Sequence, residues 1–268
     1  DEPVEAEDKT GDEIVFEKEL KFENVSFSYT PEKPLMKNLD ITVKHGGLVA
    51  LVGPTGAGKT TFVNLLMRFY DVTDGKITID GVDIRDIERD KLRSLYGMVL
   101  QDTWLFNGTV KDNIRYGRLD ATDNEVIEAA KAARADSFIE ALPDGYDTIL
   151  DENGSNLSQG QRQLLTIARA LLKDPKILIL DEATSSVDTR TELLVQEAMN
   201  EIMKGRTNFV IAHRLSTIKK ADEILFIDNG AVKERGTHEQ LLKKDGLYAD
   251  MYYSQFGKRV SQNKLETD

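Results

Sequence analysis

The eight residues Gly53-Pro54-Thr55-Gly56-Ala57-Gly58-Lys59-Thr60, directly after the apolar run Leu48-Val49-Ala50-Leu51-Val52, constrain the fold more than any other stretch of the chain. The pattern GxxxxGK[ST] demands a strand–loop–helix unit. Its glycines let backbone N–H groups curl around phosphate oxygens, and the helix that follows adds its positive dipole end. A helix is expected over residues 61–70. In such a loop the Lys59 ammonium reaches the β- and γ-phosphates and the Thr60 hydroxyl ligates Mg²⁺. Gly53, Thr55, Gly56, Ala57, Gly58, Lys59, Thr60 and Thr61 are the expected nucleotide-binding residues.

Two further runs, Ile177-Leu178-Ile179-Leu180 and Phe209-Val210-Ile211-Ala212, are as continuously apolar as 48–52. Strands covered on both faces of a parallel sheet read this way. Polar residues follow each run, at the end where open α/β sheets bind ligands. Asp181, closing the first, is the expected Mg²⁺ partner. Glu182, one residue on, either orients the water that attacks the γ-phosphate or caps a following turn. A lone histidine is more often structural than catalytic. His213, however, ends the other run at the ligand-facing edge, which favours contact with the γ-phosphate. His45, beside Gly46-Gly47, and His238, in a polar stretch, read as surface residues.

Residues 15–43 alternate apolar and polar, as in Leu20-Lys21-Phe22-Glu23, and predict an antiparallel sheet with one wet face. Asp74-Gly75 and Asp80-Gly81 bracket Lys76-Ile77-Thr78-Ile79 as a hairpin, and Asp228-Asn229-Gly230 turns residues 224–227 into another. Between these halves lies a helix-rich insert, roughly 102–172. It holds a helix over 123–133 with Thr122 as N-cap, and a second over 161–172 opening out of Leu157-Ser158-Gln159-Gly160-Gln161. Ser158 and Gly160 make this helix start either a second anion site or simply a capped terminus. The fold class is therefore α/β: a RecA-like P-loop NTPase core with a mixed sheet, an antiparallel β subdomain and an inserted α-helical subdomain.

Of 268 residues, 40% are hydrophobic and 31% charged, as in a well-cored soluble domain. No apolar run reaches the roughly 18–20 residues needed to span a bilayer, and no signal peptide opens the chain. The absence of cysteine excludes disulfides and thiolate metal sites. A net charge of −12 argues against a nucleic-acid partner, which would need a basic face. Much of that charge lies at the start, where seven acidic side chains oppose only Lys9 before residue 14. Residues 1–14 read as a solvated acidic linker, which suggests that more chain precedes residue 1. Residues 15–258 read as the main domain and 259–268 as a tail.

Together these residues resemble the nucleotide-binding domain of ABC transporters, over about residues 15 to 256. Tyr29 looks like the aromatic that stacks on adenine, and residues 53–60 look like Walker A. Gln101, after Gly97-Met98-Val99-Leu100, resembles the Q-loop glutamine at the junction between sheet and helical insert. Residues 157–161 resemble the signature, and 177–182 Walker B with its catalytic glutamate. Ser185-Ser186-Val187-Asp188 is similar to the D-loop, and His213 to the switch histidine. The resemblance implies ATP and Mg²⁺ as cofactors, with Glu182, His213, Lys59 and Gln101 in catalysis and Thr60, Gln101 and Asp181 around the metal. It further implies that Ser158, Gly160, Gln161 and Asp188 contact ATP held by a second ABC ATPase domain in a head-to-tail dimer.

Within the family the chain resembles the exporter type, of the multidrug or lipid-exporting kind. A transmembrane domain would then precede it on the same polypeptide, and the ATPase would work at the cytoplasmic face of the membrane. Residues 148–154 resemble the exporter X-loop with Glu152 at its glutamate, although their surroundings depart from the commoner VGERG form. Residues 102–113, with Trp104-Leu105-Phe106, either form the groove for a coupling helix or pack as a local core. Gln159 stands where a glycine is usual, and the D-loop reads SSVD where SALD is commoner. Exporters built from two different subunits often show such altered signatures, so a heterodimer stands beside a homodimer. Two rival readings remain: a soluble ABC ATPase acting on DNA or ribosomes, which would need a basic surface or a coiled-coil insertion, and a separate importer ATPase subunit.

Overall fold

The computed structural model describes residues 16–30, 35–151, 154–182 and 188–257. The acidic linker 1–14, the X-loop residue Glu152, D-loop residues 185–187 and the tail 259–268 lie outside the described residues.

The apolar runs form the centre of a six-stranded sheet. Its order from edge to edge is Ala231–Gly236, Glu223–Asp228, Leu48–Val52, Thr207–Ile211, Ile177–Asp181 and Tyr96–Val99. All neighbours are parallel except the Asn229–Gly230 hairpin pair at one edge. The alternation within each strand explains why these runs carry no polar face. Val49, Leu51, Ile177, Ile179, Phe209 and Ile211 enter one core cluster, while Ala50, Val52, Leu178, Leu180 and Val210 enter another. The sheet is thus buried on both sides, and each fully buried aliphatic side chain contributes about 1.5–3 kcal/mol.

One side is covered by the smaller antiparallel sheet, ordered Met36–Lys44, Glu19–Phe27, Asp74–Ile79 and Val82–Asp83. Between the two sheets lies the helix Lys59–Leu66. Its Phe62 stacks on Phe22 of the small sheet at 4.8 Å and tilts against Phe209 of the large one at 5.9 Å. This helix is shorter than the expected 61–70. It begins at the loop's last glycine, and Arg68 stops it by taking φ 51°. The left-handed backbone at Arg68 aims its guanidinium at the carbonyls of Ile84 and Ile87. Asp80-Gly81 does turn a hairpin, but Asp74-Gly75 does not. Gly75 sits within the strand opposite a register shift, where a Cβ would lie 2.4 Å from the Glu23 and Asn24 carbonyl oxygens.

The other side of the large sheet is covered by Gln159–Lys173 and Thr189–Met203, and the rest of the insert packs against the first of these. The insert holds Val110–Arg115, Asp123–Ala132, Asp136–Glu140 and a two-stranded ribbon of Gly108–Thr109 with Ile149–Leu150. The helix expected over 161–172 opens two residues earlier, at Gln159, because Ser158 supplies the cap. Tyr96–Val99 adds a parallel strand beyond the three apolar runs, too short to show a period. Residues 224–227, read only as half of a hairpin, also run parallel to Leu48–Val52. His238 departs from its surface reading, packing against Tyr248 and Tyr252 with its Nδ1 2.7 Å from the Tyr248 hydroxyl.

Candidate active site

Strand register gathers the expected residues. Val52 pairs with Phe226, Leu51 with Ile211, Ile211 with Asp181, and Leu180 with Val99. The chain therefore leaves the sheet along one line, at Gly53, Ala212, Glu182 and Leu100. The phosphate-binding loop, His213, Glu182 and Gln101 all follow at the carboxyl edge, where ligands bind in such sheets.

The loop is built for close approach. Gly53 has φ 147°, and a Cβ there would lie 2.0 Å from the Ile227 carbonyl oxygen. Gly58, at φ 101°, is the N-cap of Lys59–Leu66 and makes no side-chain cap. That helix also has no acidic residue in its first turn. The helix starts at Thr109, Thr122, Ser158, Asp188 and Thr237, by contrast, are each closed by their own side chain. The first-turn N–H groups above Gly58 have no intrahelical acceptors and suit an anion. Lys59 Nζ rests on the carbonyl oxygens of Gly53 at 2.8 Å and Pro54 at 2.9 Å. Burial lowers the affinity of this ammonium for its proton, and the nearby Asp181 carboxylate works against that shift. A phosphate would supply the charge partner that the two carbonyls only approximate.

Thr60 is exposed on the helix start, and Asp181 is half-buried at its strand end. Gln101 and His213 are both exposed at the same edge. Among the described residues no group of three or more His, Cys, Asp or Glu could hold a metal unaided. One hydroxyl, one carboxylate and one amide are hard oxygen donors that fit Mg²⁺ completed by phosphate oxygens and water.

Tyr29 is 46% exposed, and its ring is held edge-on by Phe27 at 4.9 Å and by Tyr70 at 5.0 Å. Its hydroxyl donates to Thr61 Oγ1 at 3.1 Å and accepts from Asn64 Nδ2 at 3.4 Å. The expected adenine platform is thus fastened to the helix that carries the phosphate loop. Nothing in the sequence pattern linked residue 29 to residues 61 and 64.

Glu182 is only 5% exposed. Its Oε1 accepts a 2.5 Å hydrogen bond from the Thr217 hydroxyl, and its Oε2 accepts from the Arg214 N–H at 3.3 Å. Burial pushes this carboxyl above the usual carboxylate range, and the Thr217 and Arg214 contacts oppose the shift. Thr217 is the residue that sequence reasoning missed, because one threonine in a short polar helix gives no signal.

At the other helix start, Ser158 and Gln161 form a reciprocal capping box. Ser158 Oγ accepts from the Gln161 N–H at 3.3 Å, and Gln161 Oε1 accepts from the Ser158 N–H at 2.9 Å. Gly160 is buried in the first turn. The Ser158 hydroxyl only accepts in this box, so its proton stays free to donate. Asp188 caps Thr189–Met203, taking the N–H groups of Arg190 at 3.1 Å and Thr191 at 3.0 Å. The Thr191 N–H and hydroxyl, with the Arg190 N–H, hold its carboxyl below the usual range. In the insert, Leu105 is core, while Trp104 and Tyr116 are more than half exposed. Arg169 lies 5.9 Å from the Trp104 ring and 5.4 Å from that of Tyr116.

A family model described as ABC transporter matches residues 36–185, a span that holds the loop, Gln101, residues 157–161 and Asp181-Glu182. The chain belongs to this family. The ABC domain is 56% identical over 239 residues to the ABC transporter ATP-binding protein YfiC of Bacillus subtilis, covering 89% of the chain and 40% of that relative. It is also 56% identical over 232 residues to a fatty acid ABC transporter ATP-binding/permease protein of Mycobacterium bovis, covering 87% of the chain and 37% of that protein. Among solved structures, a bacterial Atm1-family ABC exporter with ATP bound superposes with a TM-score of 0.83 at 46% identity, over 91% of this chain and 43% of that one. The chain spans about two-fifths of the length of these relatives. It carries the mixed α/β fold of an ABC ATPase, an ATP-binding and ATP-hydrolysing domain.

Proposed function

We propose that this domain hydrolyses ATP to power export across a membrane, in a pair whose two members clamp two nucleotides between them. The observation that carries the ATPase reading is the single line of strand ends that places Glu182, His213 and Gln101 beside an uncapped phosphate loop. In this reading Tyr29 stacks on adenine and Lys59 leaves its two carbonyls for the β- and γ-phosphates. Glu182 orients the attacking water, while Lys59 and His213 stabilise charge on the transferred phosphoryl group. Mg²⁺, held by Thr60, Asp181 and Gln101, would neutralise phosphate charge when bound.

Ser158, Gly160, Gln161 and Asp188 complete the site of the second domain, which is either an identical or a homologous chain. A transmembrane domain on the same polypeptide, N-terminal to residue 1, would receive the motion through the exposed Trp104 and Tyr116 at a coupling-helix groove on the cytoplasmic face. The likeness to an ATP-bound exporter and to an ATP-binding/permease protein supports this over a soluble or importer ATPase. The fatty acid transporter among these relatives favours a lipid cargo.

The test is Glu182→Gln in the full-length protein. ATP binding should persist, turnover should vanish and a closed dimer should accumulate on size exclusion. Hydrolysis near the parent rate would overturn the role of Glu182. Hydrolysis without a second gene product would identify the pair as identical chains.

A further inference from the structure

A residue that orients a nucleophilic water has to hold one carboxylate geometry to within a fraction of an ångström. The backbone of Glu182 is fixed by its N–H, which donates to the Ile211 carbonyl at 3.2 Å. Its side chain is fixed from a different segment. Beyond His213, the chain turns into the helix Leu215–Lys220, and Thr217 on that helix is itself 7% exposed. The Thr217 hydroxyl gives Glu182 the shortest hydrogen bond it has among the described contacts, 2.5 Å. The backbone N–H groups of His213 and Arg214 add weaker support.

The segment that provides these donors is anchored in turn. Arg214 pairs with Glu192 at 3.2 Å and donates to the Gln196 side-chain oxygen, both on Thr189–Met203. Glu182 lines a 10 Å³ cavity together with Gln163, Gln196 and Arg214.

We infer that Thr217 is a positioning residue for hydrolysis: its hydroxyl locks the Glu182 carboxylate to the segment that carries His213, so that the two groups take up their working positions together. The inference rests on Glu182 acting as proposed above. It adds that the rotamer of Glu182 is set by a residue 35 positions away. The bond is charge-assisted, short and buried, the class of hydrogen bond whose loss costs most.

The experiment compares Thr217→Val, Thr217→Ser and Glu182→Gln in the full-length protein, measuring ATP affinity and steady-state hydrolysis for each. Valine keeps the shape and removes the donor. Thr217→Val should lower kcat by at least about tenfold with KM for ATP and nucleotide affinity within twofold of the parent, the pattern of a misplaced catalytic group. Thr217→Ser, which retains the hydroxyl, should restore most of the rate. Two results overturn the inference while leaving Glu182 in place: full turnover in Thr217→Val beside an inactive Glu182→Gln, or a loss of nucleotide binding in Thr217→Val that Thr217→Ser does not rescue. An active Glu182→Gln would instead defeat the reading on which the inference rests.

Discussion

Gly58 and Gly230 meet back to back. A Cβ on Gly58 would lie 2.9 Å from the Gly230 Cα, and the Gly230 N–H donates to the Ala57 carbonyl at 2.7 Å. The turn of the last hairpin is thus a floor for the phosphate loop, although the two glycines are 172 positions apart in the chain. Gly58→Ala has to absorb both a left-handed φ of 101° and a contact with backbone. It should cost about 1–3 kcal/mol and lower ATP affinity at least about tenfold. Gly205, at φ 68° with open space around it, is the control. Gly205→Ala should cost about 1 kcal/mol and leave affinity unchanged. Nucleotide titration beside chemical denaturation separates the two; equal ATP affinity in both variants would refute a shaping role for the contact.

Ser158 tests whether the capping box is all that this residue does. As a cap alone, Ser158→Ala should destabilise the domain by about 1 kcal/mol and change turnover only through the folded fraction. If its free hydroxyl proton also meets the partner's nucleotide, turnover should fall by tenfold or more in a fully folded sample. Denaturation midpoints and ATPase rates measured on the same preparation decide between them.

Asn113 is fully buried and clamps the loop that presents Trp104. Its Nδ2 donates to the carbonyls of Phe106 at 3.0 Å and Thr109 at 3.1 Å, and its Oδ1 accepts from the Phe106 N–H at 3.1 Å. Asn113→Ala should cost about 1–3 kcal/mol, since buried backbone groups lose their partners. Trp104 is the chain's single tryptophan, so its fluorescence reports on this loop alone. Acrylamide quenching should rise in the variant before any global unfolding; an unchanged quenching constant would mean that the loop is held elsewhere.

Asp80 ties the first strand to the hairpin through the N–H groups of Glu17 at 2.7 Å, Lys18 at 2.9 Å and Glu19 at 2.8 Å. Partial burial works against its ionisation, but the three backbone donors outweigh that and hold its pKa below the usual carboxylate value. A carboxyl lowered in the folded state stabilises above its unfolded pKa, about 4, and that contribution is lost as pH falls through the folded value. The parent should therefore lose stability more steeply below about pH 4 than Asp80→Asn does. Superimposable profiles of midpoint against pH would show that the bonds contribute nothing measurable.

Several features were legible from sequence because they are local. The phosphate loop follows from glycine spacing after an apolar strand, the helix start at Ser158 from capping chemistry, and the hairpins at Asp80-Gly81 and Asn229-Gly230 from turn preference. The continuous apolar runs announced a sheet buried on both sides. Short or irregular elements were lost: Tyr96–Val99 is too brief to show a period, and Gly75 marks a strand irregularity that reads like a turn. Tertiary structure alone decided what the local pieces meet. Strand order and register put Asp181 beside Ile211 and Val99 beside Leu180, drawing Glu182, His213 and Gln101 to one edge. The same packing set Tyr29 on Thr61, Gly230 under Gly58 and Thr217 on Glu182. Backbone preference and hydrophobic period act over a few residues and can be read from a short window. These pairings span 30 to 172 positions and arise only when both faces of the sheet are buried at once.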